Sequence, residues 1–501
     1  MRGMIVRVLA VAALLAAPIA AHGQASPRVT TRVGALLGVT GEGGTSLFLG
    51  VPFARPPVGD LRWRAPQPVD WAGERAATVA GPACLQAPLG WNDKDAARSS
   101  EDCLYLDVST PALDPAARRP VMVWIHGGAN WAGSGDGVVR SNLARQGVVV
   151  VSVQYRLGVF GFLSHPALSA EGGGSSGNYA LMDLITALRW VHDNIAVFGG
   201  DPANVTLFGH SAGGQDVGLL MLTPQARGLF ARGILESGTP GFGFPPRTLA
   251  QNEAIGVDLA RRAGATGAAS GARELAALRR ASGPDLLDAA KGLTAPIDDQ
   301  SFIWTQAVVD GTVLPFAPDV LLAQDGAAPM IVGDSAREIA LFGADPDRAR
   351  AWIRTQPIAD ADALLRAYGL NRSPSPAPDP VNGDIATRVA TDRMFRCPAN
   401  HVAKRRTARG GRVWRYELEV AAPGAAAVSH GSELAYVFER REGPPLQAYW
   451  LNFARTGDPN GPGLPLWPTY GKPGRYLAFT AGGPVARQGL ALTACEHIHR
   501  P

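Results

Sequence analysis

Between Pro120 and Thr223 the chain alternates between two kinds of apolar pattern. "VMVWI" (Val121–Ile125) and "GVVVVSVQY" (Gly147–Tyr155) are unbroken apolar runs rich in β-branched residues, the pattern of strands buried on both faces. "NYALMDLITALRWVHDNI" places its apolar residues at helical spacing and stops before "FGGDP", a turn. "NVTLF" then predicts a third strand and "AGGQDVGLLML" the helix after it, while "RGILES", "PMIVGD" and "VWRYELE" predict later strands of the same sheet. Strands alternating with helices in this way predict an α/β fold with a central, mostly parallel sheet covered on both faces.

Two Ala- and Arg-rich stretches, Thr248–Lys291 and Asp345–Tyr368, carry amphipathic helical patterns and are expected to form a cap or wall over one end of that sheet. "NRSPSPAPDPVNGD" (Asn371–Asp384) is a Pro/Ser loop. No repeat or break in composition divides the chain, so residues 26–501 are expected to form a single domain.

The first residues change that picture. "MRGMIVRVLAVAALLAAPIAAHGQA" has Arg2 and Arg7, a short apolar run interrupted by Pro18, and then small residues. This is the pattern of a secretory signal peptide, residues 1–25, with cleavage after Ala25. Its loss would take the formal charge from +4 to +2, and no later run is long and apolar enough to predict a membrane span. The arginines are scattered rather than clustered, which argues against a nucleic-acid partner. Oligomeric state has no signature in the sequence.

Export gives the four cysteines a role. Cys84 and Cys103 bracket a polar, loop-like stretch, and Cys397 lies far from Cys495 near the C-terminus. Three pairings are possible; the simplest joins 84 to 103 and 397 to 495.

Candidate chemistry centres on "VTLFGHSAGGQ" (Val205–Gln215). A serine at a sharp strand-to-helix corner takes a strained backbone conformation, and the positions two before and two after it are crowded. Gly209 and Gly213 occupy those positions around Ser211. "GGSSG" (Gly173–Gly177) fits the same five-letter pattern but follows no strand, so it predicts only a flexible loop. Pattern, strand and helix coincide at Ser211 alone.

A nucleophilic serine needs a base, and the base needs an acid to orient it. Of the histidines after Ser211, His401 falls in a predicted helix and His497 and His499 in a polar tail, whereas His430 sits in "AVSHGSELAYVF", a loop entering an apolar helix. The strand end "MIVGDSAREIALF" offers both Asp334 and Glu338 as the acid. "VMVWIHGGANWAGSG" ends a strand in Gly127 and Gly128, where backbone N–H groups can approach an oxyanion.

Together "SEDCLYLDV", "VMVWIHGGA", "SGNYALMDLITALRWVHDNIAVFGGDPANVTLFGHSAGG", "SHGSELAYVF" and "YWLNFARTGDPN" resemble the type-B carboxylesterase family, the cholinesterase-like branch of the α/β-hydrolases, from about Thr30 to the end of the chain. The resemblance implies an α/β-hydrolase fold and a Ser-Glu-His triad of Ser211, Glu338 and His430, so that Glu338 rather than Asp334 is the acid. It further implies oxyanion donors on the backbone of Gly128, Ala129 and Ala212. The family's disulfide pattern matches the pairings Cys84–Cys103 and Cys397–Cys495.

Two positions and the length of one loop depart from the family pattern. Ala129 stands for the third glycine of the usual Gly-Gly-Gly loop, and His210 stands before the nucleophile where the family commonly has Glu. The loop between Cys84 and Cys103 is shorter than in cholinesterases; Trp91 lies where those enzymes hold a tryptophan that binds a quaternary ammonium, and in this shortened loop it reads as packing.

The expectation is a secreted or periplasmic serine hydrolase of small-molecule carboxylic esters. No metal site or organic cofactor is expected, because the chain has no HExxH, CxxC, Gly-Lys-Ser/Thr loop or strand-linked Gly-x-Gly-x-x-Gly. The same triad on an amide, carbamate or thioester is one alternative. A non-catalytic binding module is another, against which the presence of all three triad residues counts.

Overall fold

A computed structural model describes residues 26–265, 271–294, 307–324, 328–356, 358, 360–439 and 442–498. The proposed signal segment and His499 lie outside the described residues. The chain builds one large sheet whose strands we number β1 (Val39–Thr40), β2 (Ser46–Pro52), β3 (Tyr105–Thr110), β4 (Arg119–Ile125), β5 (Val149–Val153), β6 (Gly200–His210), β7 (Arg232–Glu236), β8 (Met330–Ser335), β9 (Val413–Leu418), β10 (Arg475–Thr480) and β11 (Gly483–Gln488). Their spatial order is 11-10-9-8-7-6-4-5-3-2-1.

The seven strands from β10 to β5 in that order run parallel, and the outer strands on both sides pair antiparallel. The runs that are apolar without alternation lie at the centre: all of β5 and the last five residues of β4 are buried. Burial on both faces leaves no polar phase for such strands to show.

Helix α1 (Tyr179–Asn194) buries Leu181, Leu184, Ile185, Leu188 and Val191, one face at helical spacing. Helix α2 (Ala212–Leu222) is buried along its whole length, which accounts for a sequence with almost no polar face. The "FGGDP" stretch differs from its expectation: Gly199, in the left-handed conformation, makes the turn, and β6 begins at Gly200.

The first helical region forms α3 (Leu249–Arg262), α4 (Gly271–Arg280) and α5 (Gly283–Ala290), packed in a cluster with Trp63, Phe160 and Leu163. The second forms α6 (Pro346–Thr355) and α7 (Ala361–Ala367). With α8 (Ile385–Thr391) these share a cluster with Ala212, Phe242 and Phe395. The second region therefore walls the end of the sheet where β6 turns into α2.

Both disulfides join the expected pairs. Cys84–Cys103 closes a loop beside β3, and Cys397–Cys495 ties the start of α9 (Cys397–Ala408) to the C-terminal helix Leu492–Ile498. No helix among the described residues is long and apolar enough to cross a membrane.

Candidate active site

Four loops leaving the C-terminal ends of β4, β6, β8 and β9 meet at one place, the position at which parallel α/β sheets bind ligands. Ser211 forms the corner between β6 and α2, with φ 58° and ψ −124°, a conformation rarely occupied by a residue with a side chain. Two backbone bonds hold it: its N–H donates to the Glu236 carbonyl at 2.8 Å, and its carbonyl accepts from Gln215 N–H at 2.9 Å.

The flanking glycines are required by close approach. A Cβ at Gly209 would lie 2.6 Å from the Gly213 carbonyl carbon, and one at Gly213 would lie 2.1 Å from the Ile125 carbonyl oxygen. The crowding expected between the two positions is thus only half the reason. The other half is the end of β4, which presses on the corner from the side.

His430 reaches Ser211 from the loop after β9. Its Nε2 is 2.8 Å from Ser211 Oγ, and its Nδ1 is 2.5 Å from Glu338 Oε2. Glu338, three residues beyond β8, accepts the Ser335 backbone N–H on its other oxygen at 2.8 Å, and its own N–H donates to Thr391 Oγ1 at 3.2 Å. Burial works against a charge on His430, but the charge and hydrogen bond of Glu338, with a contribution from Glu433, carry its pKa above the usual histidine value. Ser211 and His430 are both partly exposed.

Asp334, the other candidate acid, is fully buried inside β8 and pairs with Arg415 and Arg396. Burial pushes its carboxyl up to about 7, against the pull of the two arginines. His401 lies on α9 with its Nε2 2.9 Å from Asp319 Oδ1, and His497 lies on the C-terminal helix. In "GGSSG", Ser175 bonds Asp310 at 2.8 Å and no strand precedes it.

The proposed oxyanion residues sit on the other side of Ser211. Ala212 is the first residue of α2, where a helix has no internal acceptor for its N–H. The β4 loop carries Gly128, Ala129 and Asn130 at φ 116°, 56° and 62°. A Cβ at Gly127 would lie 2.5 Å from the His210 carbonyl oxygen and 3.0 Å from Ser211 Cβ, so this loop rests directly on the Ser211 corner. Trp91 is 65% exposed and lies at the rim, where its ring edge would come within 3.2 Å of a Cβ at Gly128.

Beneath His430 lies a polar cluster of which sequence reasoning singled out His210 but not Glu433. Glu433 is fully buried and accepts from Ser237 Oγ at 2.9 Å and Ser335 Oγ at 3.2 Å. Burial first, and then the nearby Glu338 charge, push its carboxyl up to about 7. The His210 ring lies 4.4 Å from the His430 ring, with its Nε2 3.9 Å from Glu433 Oε1. Burial and the neighbouring His430 hold His210 well below the usual histidine value, so it is neutral. Phe395 covers the other side of His430, 5.2 Å ring to ring, and packs on Phe242 at 5.5 Å. The available signal for Glu433 was an acidic residue three positions after a candidate base, at the entrance to an apolar helix.

Among the described residues no group of three or more metal-ligating side chains converges.

The arrangement is that of an α/β-hydrolase, and sequence comparison places it further. A sequence model of the carboxylesterase family matches residues 25–497. The chain is 36% identical to a fumonisin B1 esterase of Sphingopyxis macrogoltabida, over 90% of this chain and 85% of that protein. It is 34% identical to liver carboxylesterase 1 of Oryctolagus cuniculus, over 96% and 94%, and 35% identical to liver carboxylesterase of Sus scrofa, over 92% and 91%. The chain belongs to the carboxylesterase family and is a carboxylic ester hydrolase.

Proposed function

We propose that Ser211 is the nucleophile, His430 the general base and Glu338 the acid that orients it, in an exported hydrolase of small-molecule esters. The observation that carries this reading is the continuous line from Ser211 Oγ through both ring nitrogens of His430 to Glu338, with contacts of 2.8 and 2.5 Å. Ser211 Oγ attacks the ester carbonyl carbon while its proton passes to His430 Nε2. Glu338 then faces an imidazolium, and its charge stabilises that state. The carbonyl oxygen, now negative, takes the backbone N–H groups of Gly128, Ala129 and Ala212, reinforced by the positive end of α2.

The tetrahedral adduct collapses when His430 returns the proton to the leaving alcohol, which departs and leaves an acyl group on Ser211. Water, deprotonated by His430, attacks the acyl carbonyl; the second adduct collapses as His430 gives that proton to the departing Ser211 Oγ, and the acid is released. The strained corner supports this reading, because it holds the oxygen at the open end of the sheet without help from its own side-chain rotamer. Export is supported by the two disulfides, which persist in oxidising compartments, and by the N-terminal sequence.

The test is a panel of p-nitrophenyl and aryl esters of increasing acyl length, run beside Ser211→Ala and beside amide, carbamate and thioester analogues. Ester turnover that exceeds the analogues and disappears in Ser211→Ala is the expected result. Preferred cleavage of an analogue would move the reaction to that bond. No turnover of any substrate by the folded protein would favour a binding module.

A further inference from the structure

Behind the oxyanion loop, α2 carries Asp216, an acidic residue in a helix whose other side chains are apolar apart from Gln215. Its carboxyl is fully buried and meets no basic side chain among the described residues. Oδ1 accepts from the Asn130 amide at 3.4 Å, while Oδ2 has no partner among the described residues. Asn130 immediately follows Ala129, and its carbonyl accepts from Gly158 N–H at 2.6 Å. The Tyr155 hydroxyl donates to the His126 carbonyl at 2.7 Å and lies 3.4 Å from Asn130 Oδ1, and the Tyr155 and His126 rings stack at 4.5 Å. A polar chain therefore joins the nucleophile's helix to both ends of the loop that bears Gly128 and Ala129.

We propose that Asp216 is a positioning residue of the oxyanion loop, a protonated carboxyl that clamps Asn130 to α2 and whose ionisation disarms the site at alkaline pH. Two arguments from the geometry converge on it. Ala129 and Asn130 both hold left-handed backbone, which non-glycine residues keep only where surrounding contacts over-determine it. Among the described residues the contacts that fix the Asn130 side chain are those to Asp216 and Tyr155. In addition, a buried carboxylate behind this loop would repel the negative oxygen that the loop is proposed to stabilise, and would be a buried charge opposed only by the side-chain amides of Asn130 and Gln215. A neutral acid avoids both.

The groups facing Asp216 agree with this. Burial pushes its carboxyl up to about 8, opposed by the side-chain amides of Asn130 and Gln215. Burial with the Asp216 charge raises Tyr155 well above the usual phenol value, and burial lowers His126 to about 4 despite its bond to the Gly127 carbonyl. At neutral pH every titratable member of the chain is uncharged.

The inference rests on the oxyanion assignment proposed above, and its test separates the two. Values of kcat and KM for a p-nitrophenyl ester are measured from pH 6 to pH 10 on wild type, Asp216→Asn, Asp216→Ala and Ser211→Ala, each profile scaled to its own maximum. Wild-type kcat is expected to fall as pH rises through about 8. Asp216→Asn, an isosteric group that cannot ionise, is expected to hold its plateau beyond that point with KM little changed. Asp216→Ala, which removes the clamp, is expected to lose about tenfold in kcat at pH 7. An alkaline limb that coincides in wild type and Asp216→Asn would overturn the role of Asp216 while leaving the triad intact. Should Asp216→Ala fail to fold, the Asp216→Asn profile decides alone. Turnover that persists in Ser211→Ala would instead overturn the triad reading and this inference with it.

Discussion

The two flanks of Ser211 are built on opposite electrostatic plans. On the base side, His430 stands against Glu338 at 2.5 Å and near a second buried carboxyl, Glu433, and its pKa is raised. On the oxyanion side, Asp216, Asn130, Tyr155 and His126 form a network that burial holds neutral at pH 7. The difference follows from the charges the proposed reaction creates. An imidazolium is stabilised by nearby negative charge, whereas an oxyanion is opposed by it, so an acidic residue is useful beside the base and tolerable behind the oxyanion loop only as the neutral acid. The same type of side chain thus serves different ends according to what surrounds it.

The largest way to break this comparison is to remove the base side. His430→Ala is expected to lower kcat by a factor of about 10⁴ or more, with the fold intact by circular dichroism. Glu338→Gln keeps the shape but removes the charge that faces the imidazolium, and a loss of about 10³ in kcat is expected. Asp334→Asn is its control. Asp334 pairs with Arg415 and Arg396 inside β8, so its loss should lower the melting temperature while kcat stays within about threefold. Full activity in Glu338→Gln together with loss in Asp334→Asn would exchange the two assignments.

Opening the Cys84–Cys103 bridge with a pair of serines tests the oxyanion side from the rim. Trp91 lies inside that loop and against Gly128, so loosening it should affect turnover more than it affects the core. The expected cost in stability is about 3 kcal/mol in the chain-entropy description, read by denaturant unfolding, with kcat reduced severalfold. Equal fractional losses of stability and activity would mean that the bridge has no particular link to the site.

The smallest effect concerns Glu433. Its charge contributes to holding the pKa of His430 above the ordinary value, and the base must be neutral to act. Glu433→Gln removes that contribution, so the acidic limb of kcat/KM should move to lower pH. An acidic limb that does not move would show that Glu433 is neutral when the base works and acts through its hydroxyl partners, Ser237 and Ser335.

Much of this architecture was legible before any coordinates. Strands buried on both faces announce themselves as unbroken β-branched runs, and β4 and β5 do so. The corner at Ser211 was legible because a tight approach of backbone to backbone leaves glycine as the only residue that fits. The chemistry of "MIVGDSAREIALF" alone could not choose between Asp334 and Glu338, since both lie at one strand end. What separates them is that the Asp334 side chain is taken by Arg415 of β9 and by Arg396 from the segment before α9, contacts between residues distant in sequence.

Asp216 and Glu433 were illegible for a related reason. An acidic residue near an apolar helix has no distinguishing local pattern, and its role depends on which polar atoms the fold brings within a few ångströms. The helical regions were legible as helices and expected as a wall, but which of them stands beside the site was not: α6 and α7 share a core with Ala212 while α3, α4 and α5 pack with Trp63 and Phe160, and this follows from packing rather than periodicity.

The claim on which all of this depends is that His430 activates the oxygen of Ser211, and covalent labelling reads it directly. Native protein is treated with a fluorophosphonate, digested and mapped by mass spectrometry, with Ser211→Ala and His430→Ala alongside. The account predicts a single adduct on the peptide containing Ser211, absent from Ser211→Ala and formed far more slowly in His430→Ala. An adduct on another serine, or labelling of Ser211 at an undiminished rate without His430, would contradict it.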